Sequence, residues 1–145
     1  MKHKYEDFWH KELNKETSRN KNKGSNKLRT YKTIKQNFQL EPYLENIDNI
    51  DHIKAVTQLR LSSHNLNIEC LRGTVHNPEH RTCNLCSLNE KEDEIHFITK
   101  CPSYTTLRLQ LLSTLDIAPP IISSYNDTHW FIFLMQTRIK RYVKP

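Results

Sequence analysis

The sequence predicts a small, mainly α domain, and three observations carry that expectation. Apolar residues recur at three- and four-residue spacing in five segments of the chain. Hydrophobic residues make up only 36% of 145 residues and mean hydropathy is -0.77, so apolar burial needs a supplement. Three of the four cysteines fall between Cys83 and Cys101, where a shared ligand could supply that supplement.

The first helix is expected over residues 4–16, where Tyr5, Phe8, Trp9 and Leu13 share a face and acids sit near the start. Residues 14–27, "NKETSRNKNKGSNK", are polar, basic and nearly free of apolar side chains, which reads as a flexible linker. Helical spacing returns over 27–40 with Leu28, Tyr31, Ile34 and Phe38. Pro42 suits the first turn of a short helix. A further helix is expected from Asp48, as its cap, to Ser62. Its core stripe would be Ile50, Ile53, Val56 and Leu59, with Lys54 and Arg60 solvated on the other face.

Gly73, Asn77 and Pro78 mark loop structure. After the cysteine segment, residues 103–115 form a helix capped by Ser103, with Tyr104, Leu107, Leu111, Leu112 and Leu115 as its apolar positions. Ala118, Pro119 and Pro120 stop it. A last helix opens at Asn126, Asp127 or Thr128, and Trp130, Phe131 and Phe133 cannot all face one side of it. The expected organisation is a basic N-terminal helix and linker (1–26) followed by a helical domain (27–145).

Charge is uneven. Residues 1–40 carry eleven Lys/Arg against four Asp/Glu, residues 41–137 carry seven against twelve, and the last eight residues carry four Lys/Arg and no acid. Basic ends around an acidic middle suit contact with nucleic-acid phosphates, and equally a solubilising surface. Two glycines in the whole chain exclude a Gly-rich phosphate loop. No apolar run approaches the roughly 20 residues that cross a bilayer, and the charged N-terminus lacks a secretory signal's apolar stretch. The expectation is an intracellular chain, nuclear or cytoplasmic, with no membrane partner.

In a reducing compartment clustered cysteines more often bind metal than pair as disulfides. The spacing is Cys83-x2-Cys86-x9-His96-x4-Cys101. Two thiolates two residues apart grip an ion from one tight turn or hairpin, and a later histidine and cysteine close a tetrahedron. Cys3His is a standard structural zinc set with no position left for a reacting water. The expected fold is therefore a small helical domain organised around a Cys3His zinc site. His76, His80 and Cys70 are nearby alternatives to His96, with Cys70 better placed as a small core residue. A catalytic Cys–His pair would need an activated thiolate with an orienting third group, and ligation explains these thiols better. Glu92, Asp93 and Glu94 read as the solvated, acid-rich start of a helix carrying His96.

Three stretches, "NKLRTYKTIKQNFQLEPYL", "LRLSSHNLNIE" and "RTCNLCSLNEKEDEIHFITKCPSYTTLR", resemble in that order the region after the reverse transcriptase domain of animal non-LTR retrotransposon polyproteins. The resemblance covers about residues 26–108. It implies Cys83, Cys86, His96 and Cys101 as zinc ligands, a role beside RNA or DNA during reverse transcription, and a reverse transcriptase domain as a possible protein partner. No Asp-Asp pair occurs in the chain, and after Cys101 the only acids are Asp116 and Asp127. Neither a polymerase nor a nuclease centre is expected. The chain resembles a detached or truncated element tail that is not itself an enzyme, and the alternatives to nucleic-acid binding are a protein docking module or a non-functional remnant of such an element. Candidate phosphate contacts are Lys21, Lys23, Lys27, Arg29, Lys32 and Lys35, then Arg138, Lys140 and Arg141.

Overall fold

The computed structural model describes residues 2–19, 28–35, 37–114 and 126–136. Helix α1 spans Lys2–Arg19, α2 Arg29–Ile34, α3 Pro42–Asn46, α4 Ile50–Arg60 and α5 Asn67–Cys70. After a hairpin-like loop, a π-helical turn covers His96–Lys100, α6 runs over Thr105–Thr114 and α7 over Asp127–Gln136. The fold is mainly helical. Among the described residues the only β pairing is one antiparallel bridge between Thr82 and Lys91.

Several boundaries differ from expectation for local reasons. Helix α1 continues through the first residues of the predicted linker to Arg19; residues 20–27 lie outside the described residues. Helix α2 stops at Ile34 rather than near residue 40, because Lys35 turns extended and its ammonium reaches back to Glu41 at 2.9 Å. The α4 cap is Asn49 and not Asp48: the Asn49 Oδ1 accepts from the Asp51 and His52 amides at 2.9 and 3.3 Å. Ser103 does not cap α6. Its hydroxyl donates to the Leu85 carbonyl, and a 3-10 turn over Pro102–Tyr104 leads into the helix. Asn126 does begin α7, accepting from the His129 amide at 2.8 Å.

The apolar core gathers Ile34, Ile68, Leu112, Trp130 and Phe131 with Cys83 and Cys101. Helix α7 packs on α2 and on the π turn, and α2 packs on α4. Phe133 of α7 stays 42% exposed, stacked on Trp130 at 5.4 Å.

Two predicted apolar stripes hold in part: Ile53, Val56 and Leu59 of α4 are half-buried, and of the α6 stripe Leu112 is buried and Tyr104, in the turn before the helix, half-buried. Ile50 is 72% exposed, and the inner face of α4 ends instead on Arg60, which is buried. Arg60 donates to the Met135 carbonyl of α7 at 2.9 Å, pairs with Glu41 and lies over the Tyr43 ring. On α6, Leu107 and Leu111 face solvent while Arg108 turns inward and donates to the Ile98 and Cys101 carbonyls at 3.0 and 2.7 Å. A guanidinium can bridge several carbonyl oxygens at once, so it ties short elements together where apolar area is scarce. Lys54 is exposed, as expected.

Candidate metal centre

The cysteine segment folds as a narrow loop closed by two backbone bonds. The Cys83 amide donates to the Glu90 carbonyl and the Glu92 amide to the Arg81 carbonyl, both at 2.9 Å. Asn89 takes the left-handed conformation, φ 52°, that lets this loop reverse. Within it the Leu85 amide donates to the Cys83 sulfur at 3.4 Å, which folds Cys86 back toward Cys83.

The second half of the site comes from the π turn. Asp93 accepts from the His96 amide at 2.9 Å and starts the turn. The Cys101 amide then donates to the His96 carbonyl at 2.8 Å, an i to i−5 bond. This wide turn returns Cys101 to the side where His96 points.

The outcome is one cluster. The sulfurs of Cys83, Cys86 and Cys101 and a ring nitrogen of His96 all lie within 4.8 Å of one another. Cys83 and Cys101 sulfurs are 3.9 Å apart, and the Cys86 sulfur is 3.5 Å from His96 Nε2. Around one tetrahedral ion with metal–sulfur bonds of about 2.3 Å, two sulfurs sit about 3.8 Å apart and a sulfur and an imidazole nitrogen about 3.5 Å apart. The four residues therefore fit a single metal ion. Cys101 is fully buried and His96 and Cys83 nearly so.

The surroundings favour a cation. Burial, opposed by the Leu85 amide and reinforced by Cys86 and Cys101, raises the Cys83 thiol to about 12. A divalent cation supplies the positive charge that a buried thiolate needs, so binding would release protons. His96 presents Nε2 to the cluster and Nδ1 to Glu90 at 3.4 Å. A carboxylate behind a ligating imidazole fixes its ring and tautomer. Against burial, which opposes charge, Lys100 and His96 pull the Glu90 carboxyl below its ordinary range.

Of the alternatives raised by the sequence, His76, His80 and Cys70 are all exposed and none belongs to the cluster. Cys70 is thus not a core residue. The acids before His96 are not a solvated helix start either: Glu92 and Glu94 are buried. The Glu92 carboxylate accepts from the Asn67 amide at 2.8 Å. Both Glu94 oxygens accept from the one Arg29 Nη2, at 2.7 and 2.8 Å; Oε1 also accepts from the Ser62 hydroxyl at 2.8 Å and faces His64 Nε2 at 2.8 Å. Burial alone would raise the Glu94 carboxyl; the His64 hydrogen bond and the Arg29 guanidinium outweigh it and hold the group at about 2.

Arg81 is the other support the sequence did not mark. It is buried beside the loop and donates to the Val75 and Ile68 carbonyls at 2.9 and 2.6 Å. Nothing in the order of residues separates Glu94 or Arg81 from the many charges that face water.

Among the candidate phosphate contacts, Arg29 is committed to Glu69 and Glu94, and Lys35 is buried against Glu41 and the Gln39 carbonyl. Lys32 is exposed. Lys21, Lys23, Lys27, Arg138, Lys140 and Arg141 lie outside the described residues. No helix among the described residues is long and apolar enough to cross a membrane.

No protein-family model, curated protein or solved structure matches the chain. The four-ligand cluster is the feature on which a functional reading can be built.

Proposed function

We propose that this chain is a zinc-pinned module derived from a retrotransposon, which binds RNA or DNA with little sequence preference and catalyses nothing by itself. The observation that carries the reading is the closed ligand set: three sulfurs and one imidazole nitrogen within 4.8 Å of one another, with the Cys83–Cys101 and Cys86–His96 separations of 3.9 and 3.5 Å close to those around a tetrahedral ion. Three thiolates select zinc over harder cations such as magnesium. Four protein ligands leave no position for water or substrate, so the ion's part is to join the loop to the π turn. The residues around it hold that join: Glu90 orients His96, Asp93 starts the turn, and Arg81 fixes the loop to Ile68 and Val75.

The nucleic-acid part of the reading is supported by the charge layout and by the resemblance to retrotransposon tails. With Arg29 and Lys35 engaged internally, the phosphate contacts fall to Lys21, Lys23 and Lys27, with Arg138, Lys140 and Arg141 from the tail. The purified chain should carry one zinc per molecule and bind RNA and DNA oligonucleotides with an affinity that falls steeply as salt rises. A metal-free native protein, or a flat salt series, would overturn it.

A second reading is favoured by one observation. A cavity of about 560 Å³ is lined largely by apolar residues, among them Val56, Leu59, Leu66, Phe97, Ile98 and Met135. That surface suits docking on a protein such as a reverse transcriptase domain. Pull-down with such a domain, compared with RNA, separates the two.

A further inference from the structure

Arg60 joins α4 to the end of α7, and beside that join lies a cavity of about 280 Å³. It sits between the C-terminal ends of α2, α4 and α7 and the start of α3. Its walls are tied together. Gln136 of α7 donates to the Ile34 carbonyl of α2 at 2.8 Å, and Arg60 Nη1 donates to the Met135 carbonyl at 2.9 Å. Asn37 and Gln39, both exposed, form its rim.

Charge around the cavity is unbalanced. Lys35 is 8% exposed and Arg60 3%, and Glu41 is the only acid among the described residues that line it. That one carboxylate serves both cations: Oε1 faces the Lys35 ammonium at 2.9 Å and Oε2 accepts from Arg60 Nη2. The carbonyl end of α7 offsets about half a charge more, so a positive surplus stays. Buried charges are ordinarily matched by partners, because they have lost the solvation of water. Two donors are also left over. An ammonium has three N–H groups, and that of Lys35 meets Glu41 and the Gln39 carbonyl. Arg60 Nη1 and Nη2 are engaged, but its Nε is buried without a hydrogen-bond partner among the described residues. Leaving a buried donor unmatched costs about 1–3 kcal/mol. A water would take the Nε proton and leave the charge as it was; an oxyanion answers both.

We propose that this cavity binds a small oxyanion of the phosphate or carboxylate class, with Lys35 Nζ and Arg60 Nε as its donors and the carboxamides of Asn37 and Gln39 at the rim. The site is separate from the metal centre, and it does not rest on the nucleic-acid reading above. Its volume is well beyond that of one water, so an anion of four or five heavy atoms fits. Lys35 and Arg60 then have two tasks each: they tie α2 and α4 to Glu41, and each turns one remaining N–H to the ligand.

The test titrates the full zinc-loaded chain with inorganic phosphate and, separately, with acetate. Ionic strength is held constant with sodium chloride, and backbone amide shifts are followed by NMR. Saturable shifts are expected at the amides of Lys35, Asn37, Gln39 and Gln136 in at least one titration, and the anion that saturates first names the class. Zinc content should not change. Lys35→Gln should weaken binding by about 10-fold or more. Asn37→Asp puts an acid on the exposed rim, where it leaves the core alone, and should weaken binding by about 3-fold or more. Lys54→Gln removes an exposed cation of α4 that does not line the cavity and should bind as the wild type does. If Lys35→Gln does not fold, Asn37→Asp decides. Shifts that never saturate, or that chloride alone reproduces, overturn the site. So does an Asn37→Asp variant that folds and binds both anions with wild-type affinity, since the anion then lies elsewhere.

Discussion

The two ends of this small domain are held by different physics. At one end, residues 81–101 bring together three thiols, an imidazole and the buried charges of Arg81, Glu92 and Glu94. At the other, α2 and α7 pack together, Gln136 donates to the Ile34 carbonyl at 2.8 Å, and Ile34, Trp130 and Phe131 are nearly fully buried. The first end depends on which protons and cations are present; the second depends on area removed from water. In a chain with 36% hydrophobic residues, apolar burial secures one end, and four side chains that could hold a metal ion gather at the other.

The largest effect should come from breaking the ligand set. Structural zinc in finger peptides is worth on the order of 10–16 kcal/mol near neutral pH, comparable to or above the total stability of an ordinary domain. Cys101→Ser, or a chelator added to the wild type, should abolish metal binding and remove amide-exchange protection across 81–101. Protection around Ile34 and Phe131 should fall less. Equal loss at both ends would show that they are one cooperative unit and break the contrast.

Phe131→Ala attacks the other end. Loss of a fully buried phenyl ring costs about 3–5 kcal/mol. The expected result is a lower urea midpoint with zinc content and zinc affinity unchanged. A variant that lost its metal as well would mean that the π turn, against which α7 packs, needs the apolar end to hold its ligands in place.

These two ends were unequally legible in the amino-acid sequence. The candidate ligand set reads largely from spacing, and the fold decides for His96 by leaving His76, His80 and Cys70 outside the cluster. The helices read from period, and α3, α4, α6 and α7 begin close to where their caps and prolines place them. The inner faces of α4 and α6 were legible in part: Ile53, Val56, Leu59 and Leu112 turn inward as their period predicts. Hydrophobic periodicity assigns Ile50, Leu107 and Leu111 to the core, yet Arg60 and Arg108 take inner positions because their guanidinium groups reach carbonyls that no apolar side chain can satisfy. The same limit hid Glu94 and Arg81. A charge is buried only when partners from distant segments meet it, and Arg29, Ser62 and Glu94 are far apart in sequence.

Glu94 therefore gives the next prediction. Glu94→Gln leaves Arg29 with half its carboxylate partners and should cost about 3 kcal/mol at neutral pH, read from urea unfolding of the zinc-loaded protein. The pH dependence has a definite sign. A carboxyl whose folded pKa lies below its unfolded value, about 4.3, contributes stability above that value and loses it as pH falls toward the folded value of about 2. The stability gap between wild type and Glu94→Gln should thus be full at pH 6 and close as the solution is acidified from about pH 4.3 toward about 2. A difference between the two proteins removes the separate effect of acid on the metal ligands, which acts on both. A gap that stayed constant down to pH 2 would mean that Glu94 acts through its shape and not its charge.

The smallest effect expected lies behind the imidazole. Glu90 is the partner of His96 Nδ1 at 3.4 Å and also pairs with Lys100 at 3.3 Å, and its side chain is 44% exposed. Exposure limits what it can add to folding, since water screens both contacts. Its effect should instead appear in the metal. Carboxylates behind ligating histidines typically change metal affinity 10- to 100-fold. At an exposed position the lower figure applies, so Glu90→Gln should weaken zinc binding by about 10-fold, while the urea midpoint of the zinc-saturated protein barely moves. The glutamine keeps an oxygen for the Nδ1 proton, so the ring should stay in place and only its basicity should fall. Competition against a chromogenic chelator reads the affinity directly. If Glu90→Gln binds zinc as the wild type does and Glu90→Ala is 10-fold weaker, the carboxylate serves to hold the ring and contributes no charge. If neither variant changes affinity, the metal end is closed by its four ligands alone, and the buried charges around it stabilise the fold without tuning the ion.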